Sequence, residues 1–217
     1  MAKTIAIIGG TGKEGKGLGF RWAKAGHKVI IGSRTLEKAE AAVSELKGLI
    51  GQEVDLSAAL NDEAVRQAEV AVLTVPFAVH RQTLEGLKDA LKGKILIDVC
   101  VPIIPPKVTK VQMPEEGSAT QQAKAILGED TLVCCAFQNI SYERLMGTED
   151  VECDVIVCGE KDARTVVLEL VKDTGLTGWD GGQIENSVIP EGLTSILIGL
   201  NIKYKVPSAG IRITGVL

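Results

Sequence analysis

Histidine is scarce in this 217-residue chain, which carries only His27 and His80. With no H-E-x-x-H and no clustered cysteine and histidine ligands, a structural or catalytic zinc site has no support, and no metal is expected. An excess of basic charge is missing as well. The formal net charge of −4 argues against a general nucleic-acid binder. Long hydrophobic runs are also absent: "IAII" near the start is too short for a signal segment, and "SILIGL" cannot span a bilayer that needs about 20 apolar residues. No membrane partner is expected. The five cysteines, among them the adjacent Cys134 and Cys135, show no C-x-x-C spacing and read as reduced core residues, which suits the cytoplasm.

What is there is an ordinary globular balance of 45% hydrophobic and 24% charged residues, enough for one large domain or a domain with a small lobe. Apolar β-branched runs recur as "TIAIIG", "KVIIG", "EVAVLTV", "KILIDV", "TLVCCAF" and "DVIVCG", the signature of strands buried on both faces, and they read as parallel strands. Helix-like segments over residues 14–25, 35–48, 78–91 and 118–128 lie between most of them. Ser118 and Gln121 form a capping box for the last of these. Residues 101–117 hold four prolines and little periodicity, which predicts a long loop of functional type.

A further helix is expected from about residue 163, then a short "LTGWD" strand or loop. Beyond it Asn186 or Ser187 can cap a helix whose Ile189, Leu193, Ile196, Leu197 and Leu200 share one face; such a face packs on its own sheet or on a second subunit. The fold class expected is α/β, a doubly wound Rossmann-type parallel sheet with a small, mainly helical C-terminal lobe. Residues 1–180 would be the α/β domain and 181–217 the lobe, which would contribute to a homodimer.

The stretch "IAIIGGTGKEGKGLG" has two readings. From Gly10 through Gly15 to Lys16 it nearly spells the phosphate loop of a nucleotide hydrolase, G-x-x-x-x-G-K, and "ILID" ending at Asp98 could imitate the acidic strand of its magnesium site. That loop needs Ser or Thr after its lysine to help hold the metal, whereas Gly17 follows Lys16 here. Gly10, Gly12 and Gly15 equally spell G-x-G-x-x-G at a strand-to-helix junction, the dinucleotide fingerprint. The first glycine permits the tight turn, the second the approach of pyrophosphate, and the third close helix–strand packing. The context favours this second reading.

The second strand then selects the cofactor. An NAD site would present Asp or Glu about 20 residues on, whereas "GSRTLEK" offers Ser33, Arg34 and Lys38. A hydroxyl, a bidentate guanidinium and an ammonium suit the 2′-phosphate of NADP.

With "GGTGKEGKGL", "VIIGSRTLEKAE", "VAVLTVP", "KILIDVCVPI", "DVIVCGE", "NSVIPEGLTSILIGLN" and "AGIRI", the chain resembles NADPH-dependent reductases of coenzyme F420, the F420:NADP oxidoreductases, over nearly its whole length. The resemblance implies reversible hydride transfer between NADP(H) and the deazaflavin F420. It implies that Thr11, Gly12, Lys13 and Glu14 surround the pyrophosphate, with Ser33, Arg34 and Lys38 on the 2′-phosphate. Thr74, Val75 and Pro76 would form a shelf near the ribose and nicotinamide, and Val101 and Pro102 would border the ring. Gln138, Asn139 and Ile140 would face the deazaflavin with Ala209 and Gly210, Gln138 and Ile140 stacking on it and Gln138 offering an amide donor. Archaeal members would have His where this chain has Gln138. Similar N-terminal domains occur in ferric reductases that pass hydride to a flavin, so an NADPH-dependent flavin or ferric reductase is an alternative, as is a non-catalytic NADP(H) sensor. Hydride transfer between stacked rings needs orientation and exclusion of water rather than an acid–base dyad. Accordingly His80 reads as a helix-surface or pocket-lining residue, and Cys100 and Cys134 as small core residues.

Overall fold

The computed structural model describes residues 1–147 and 150–216. Eight strands form one sheet: β1 Thr4–Ile8, β2 Lys28–Ser33, β3 Leu56–Leu60, β4 Val70–Leu73, β5 Ile95–Asp98, β6 Leu132–Cys135, β7 Asp154–Gly159 and β8 Thr177–Gly182. Their spatial order is β3-β2-β1-β4-β5-β6-β7-β8, so the chain winds outward from β1 one way and from β4 the other. The order reverses between β1 and β4, which opens a crevice at their carboxyl ends.

Eight helices accompany the sheet: α1 Lys13–Lys24, α2 Leu36–Ile50, α3 Asn61–Gln67, α4 His80–Leu91, α5 Ala119–Leu127, the short α6 Tyr142–Leu145, α7 Lys161–Asp173 and α8 Val188–Tyr204. Alternation along β1 divides the core. Ile5 and Ile7 face α1, α2 and α7 through Leu18, Trp22, Leu46 and Val167, whereas Ala6 and Ile8 face α3, α4 and α5 through Val65, Leu84, Leu91 and Ala123. Trp22 fastens α1 to α7, its fully buried indole donating to the Leu170 carbonyl at 2.9 Å. A buried indole that finds its acceptor adds apolar contact without leaving an unmet donor.

The structure reverses the direction read for one strand, adds a strand and a helix, and removes one of the two packings left open for α8. The "DVIVCG" strand runs antiparallel to β6, and β8 then pairs parallel with β7. An apolar run reports burial on both faces and is blind to direction. The strand Leu56–Leu60 and helix α3 went unread, because "LSAAL" is short and has none of the aliphatic density of its neighbours. The apolar face of α8 does not pack on the sheet: within the chain Ile189, Ile196 and Leu200 are exposed and only Leu197 of that set is buried.

Helix α8 presents three faces. Gly192 and Gly199 approach Met113 and Thr109 of the 101–117 loop, with Ser195 donating to the Lys110 carbonyl between them. Thr194, Leu197, Ile198 and Asn201 face a cleft, and the exposed stripe is the third face. The helix is pinned at its first turn by Glu191, a fully buried carboxylate on the N-terminus of α5. Its Oε2 accepts the Ala119 N–H at 2.7 Å, and its Oε1 accepts the Thr120 N–H and hydroxyl at 3.0 and 2.7 Å. These donors are orphans of a helix start, so the carboxylate meets both unpaired N–H groups and the positive end of the dipole. The hydroxyl of Ser118 accepts the Gln121 N–H at 2.9 Å, as a capping box requires, and also meets that of Ser187 at 2.6 Å.

Candidate active site

The glycine loop sits at the β1–β4 crevice, and its three glycines meet different surroundings. A Cβ on Gly10 would lie 2.9 Å from the Ile7 carbonyl oxygen, and one on Gly15 would lie 2.7 Å from Gly10 Cα and 2.8 Å from Thr74 Oγ1. Both are excluded by the protein itself. A Cβ on Gly12 would meet nothing nearer than the Gly9 carbonyl oxygen at 3.6 Å, in backbone with φ −74° and ψ 166° that any residue can adopt. The space beside Gly12 is a cradle that a side chain would fill and a pyrophosphate can enter. No side chain caps α1, so its leading N–H groups point into that space.

Asn61, the first residue of α3, steadies the loop by accepting the Gly9 N–H at 3.2 Å. A Cβ on Gly32 would come within 2.8 Å of the same Oδ1, so the glycine of "GSR" makes room for Asn61. At the end of β2, Ser33 is buried and its hydroxyl accepts the Thr35 N–H at 3.3 Å. Arg34 and Lys38 are exposed at the start of α2, and neither takes part in an ion pair among the described residues. Lys16, the lysine of the hydrolase reading, is held away by Glu45 at 2.7 and 2.8 Å.

Across the crevice Thr74, Val75 and Pro76 follow β4, with the Thr74 hydroxyl donating to the Ile8 carbonyl at 3.0 Å. A cleft of about 320 Å³ lies beyond the ends of β5 and β6. Its walls include Glu14 from α1, Val99 and Val101 after β5, Phe137 through Ile140 after β6, Leu197 and Asn201 from α8, and Ala209 from the tail. Ala209 is held by its N–H, which donates to Asn201 Oδ1 at 2.7 Å. Phe137 turns the chain with φ +73° while its ring packs edge-on to Trp22 at 5.7 Å. A buried aromatic in that backbone region persists only where its surroundings dictate it, and it aims the next three residues into the cleft. Three buried side-chain oxygens around this space have no hydrogen-bond partner: Glu14 Oε1, Gln138 Oε1 and Asn139 Oδ1. Unmet acceptors at a cleft suit a ligand that brings donors.

Several expected site residues take other positions. Lys13 reaches away from the glycine loop to the Tyr142 hydroxyl at 3.1 Å and over that ring, a contact that raises its ammonium pKa. Glu14 turns into the cleft. Gly210 packs against Cys153, whose Sγ would lie 2.8 Å from an added Cβ, and does not line the cleft. One N–H of the Gln138 amide donates to the Asp98 carbonyl at 2.6 Å, and its Oε1 is the unpartnered acceptor. Pro102 is buried beside the half-buried Val101.

His80 is neither on the surface nor in the cleft. It is fully buried under the cleft floor, with Nε2 2.7 Å from Asp98 Oδ2 and Nδ1 3.0 Å from Gln122 Oε1. Gln122 Nε2 donates to Glu116 Oε2 at 3.1 Å, which fixes the amide's orientation: reversed, its oxygen would face a carboxylate. Both imidazole nitrogens therefore face acceptors, the arrangement of an imidazolium. Burial is the largest single influence and works against that charge, but Asp98, Gln122 and Glu191 together outweigh it and the pKa is raised. His80, Asp98 and Cys100 offer atoms within 4.8 Å of one another, yet both His80 nitrogens are already engaged, and burial drives the Cys100 thiol well above its ordinary pKa. This is a hydrogen-bonded brace that holds the carbonyl of Asp98 under Gln138. Nothing in local sequence announces it; a lone histidine 18 residues before an aspartate carries no spacing signal. Asn61 was equally silent, since its role depends on the β2–β3 crossover.

Comparison with known proteins identifies the family. Residues 4–102 match the family described as "NADP oxidoreductase coenzyme F420-dependent". The F420-dependent NADP reductase of Methanocaldococcus jannaschii is 41% identical over 97% of this chain and 97% of its own. That of Methanothermobacter thermautotrophicus is 42% identical over 99% of this chain and 96% of its own. The crystal structure of a putative F420-dependent NADP reductase from an Arthrobacter species superposes with a TM-score of 0.84 at 20% identity, covering 99% of this chain and 100% of its own, a likeness of fold. At this level of identity along both full lengths, the chain belongs to the family of F420-dependent NADP reductases.

Proposed function

We propose that this chain is an NADP-dependent oxidoreductase that moves hydride reversibly between NADP(H) and coenzyme F420. The observation that carries the reading is that Glu14, two residues after the open space over Gly12, lines the cleft bounded by Val99, Val101, Gln138, Ile140 and Ala209. A dinucleotide laid along the strand ends delivers its nicotinamide where a second flat ring can be stacked. The uncapped α1 start and Gly12 would receive the pyrophosphate. Ser33, Arg34 and Lys38 would hold the 2′-phosphate with charges that no acidic neighbour claims. Thr74, Val75 and Pro76 would carry the ribose side, and Gln138, Asn139 and Ile140 with Ala209 the deazaflavin. The bound nicotinamide and deazaflavin supply the redox chemistry; the protein orients them and excludes water.

In this reading residues 1–180 bind the dinucleotide and 181–217 close the acceptor site. The exposed stripe of Ile189, Ile196 and Leu200 supports a homodimer built across α8. No helix among the described residues is long and apolar enough to cross a membrane, and the reduced state of five buried cysteines favours the cytoplasm. The test is oxidation of NADPH with F420, FMN and ferric citrate offered separately. Turnover with F420 is expected. Turnover with FMN or ferric citrate alone would make the protein a flavin or ferric reductase, and tight NADPH binding with no acceptor used would make it a sensor.

A further inference from the structure

NADPH brings two electrons and one proton as hydride, while the reduced deazaflavin carries two more hydrogens than the oxidised one. The balance NADPH + F420 + H⁺ → NADP⁺ + F420H₂ therefore needs a proton that the dinucleotide does not supply. Of the carboxyl groups that line the cleft, those of Glu14 and Glu143, Glu14 is the one with a buried oxygen that lacks a partner. It stands in the first turn of α1, between the glycine loop and the floor made by Val99, Val101, Phe137 and Gln138.

Among the described residues no ion pair compensates it. Lys13 beside it is turned to Tyr142, and Lys16 is tied to Glu45. From the facing turn the ionisable groups are Tyr142 and Glu143; beneath the floor lie Asp98 and His80, paired with each other. With one oxygen buried in the cleft wall and no counter-charge beside it, the carboxyl holds its proton, and burial pushes its pKa up to about 8. A dinucleotide would strengthen the effect, because its pyrophosphate puts negative charge at the same helix end. The nicotinamide gains positive charge as NADPH is oxidised, which offsets the carboxylate left behind.

We propose that Glu14 gives the second proton to the deazaflavin during reduction and takes it back in the reverse direction. The O–H bond of the Glu14 carboxyl breaks as an N–H bond forms on the acceptor ring; the hydride supplies both electrons, and the resulting carboxylate is reprotonated from water at the cleft mouth. The inference rests on the hydride-transfer reading above.

Glu14→Gln keeps the size and neutrality of the acid but has no transferable proton, and Glu14→Asp restores a carboxyl at shorter reach. In Glu14→Gln the rate of F420 reduction at saturating NADPH should fall roughly 10²-fold, the usual range for loss of a general acid, and the alkaline limb near pH 8 should vanish. NADPH affinity should change less than threefold, and Glu14→Asp should recover part of the rate together with the limb. A readout independent of turnover is a protonated-carboxyl infrared band at pH 7 that the parent protein shows over and above the band of Glu191, and that is lost in Glu14→Gln when parent and variant are compared. A Gln variant with the parent's rate and alkaline limb, or a parent protein without that band, overturns the proposal. If the parent fails to reduce F420 at all, the hydride-transfer reading falls and this inference with it. Loss confined to Glu14→Gln overturns neither.

Discussion

The two glycines flanking Glu14 on the phosphate side should respond to a new side chain in opposite ways. At Gly15 the obstacle is backbone: a methyl group would sit 2.7 Å from Gly10 Cα, where α1 crosses the loop that leaves β1, and neither partner is a flexible side chain that can swing away. Overpacking of that kind costs about 1–3 kcal/mol, and in a domain of this size each kcal/mol lowers Tm by about 2–4 °C. Gly15→Ala should therefore melt some 2–12 °C below the parent. At Gly12 an added Cβ meets nothing nearer than the Gly9 carbonyl oxygen at 3.6 Å, an ordinary contact, and its backbone is already in a region open to β-branched residues. Gly12→Val should stay within about 1 kcal/mol of the parent in stability, the loss being that of a better helix cap. It should lose NADPH instead. Blocking two charge-assisted contacts from the helix start to pyrophosphate removes about 3–6 kcal/mol of binding, more than 10²-fold in Kd. Thermal melts of the two apo variants and calorimetric titration with NADPH separate the effects. If Gly12→Val melts as low as Gly15→Ala, or binds NADPH as the parent does, the assignment of the cradle to pyrophosphate is wrong.

Arg34→Ala should weaken NADPH by about 1.5–3 kcal/mol and leave NADH little changed, since Arg34 has no protein ion pair to lose; equal losses in both dissociation constants would refute its reading of the 2′-phosphate. Ala209→Trp, which fills the acceptor end of the cleft, should suppress F420 reduction at nearly unchanged NADPH affinity, and a matching rise in NADPH Kd would put the nicotinamide where the deazaflavin is drawn. Ile196→Glu should shift a dimer to monomer by light scattering with the chain still folded, whereas an unchanged mass would free α8 of that role. The carboxyl of Glu191 is pushed from 4.5 up to about 7, by burial first and then by Asp98, so the folded state binds its proton more tightly than the unfolded state does. Stability should accordingly fall as pH rises from about 4.5 to about 7, by at most about 3 kcal/mol. Glu191→Gln should flatten that slope in denaturant titrations at pH 5 and 8, and an identical slope would assign it to other groups.

The parts legible in the sequence were those whose physics is local. Gly10, Gly12 and Gly15 declare a turn because a strand precedes them and a helix follows, and Ser118 declares a helix start three residues before Gln121. The 3.6-residue spacing of Ile189, Leu193, Ile196 and Leu200 identified a helix. It could not say that Gly192 and Gly199 would take the inner face, because the partner of that face is a proline-rich loop 80 residues away with no periodicity of its own. The direction of β7, the reach of Asn61 to Gly9 and the brace of His80 under Asp98 are set by which strands end up adjacent. Glu14 was visible as part of the glycine motif, but its turn into the cleft follows from the pitch of α1 relative to β5 and β6.

Helix α8 has no idle side, and this limits how such a chain can change over generations. Inserting one residue before Leu193 would rotate everything after it by about 100°. Leu193, Ile196 and Leu200 would swing into the cleft, in the places of Thr194, Leu197 and Asn201, while Thr194 and Ile198 would turn onto the 101–117 loop in place of Ser195 and Gly199. A single codon gained or lost there would corrupt three surfaces at once. Length variation among descendants of this sequence should instead collect where a turn absorbs it, in the loop over 101–117 or beyond the left-handed Lys205 that ends the helix.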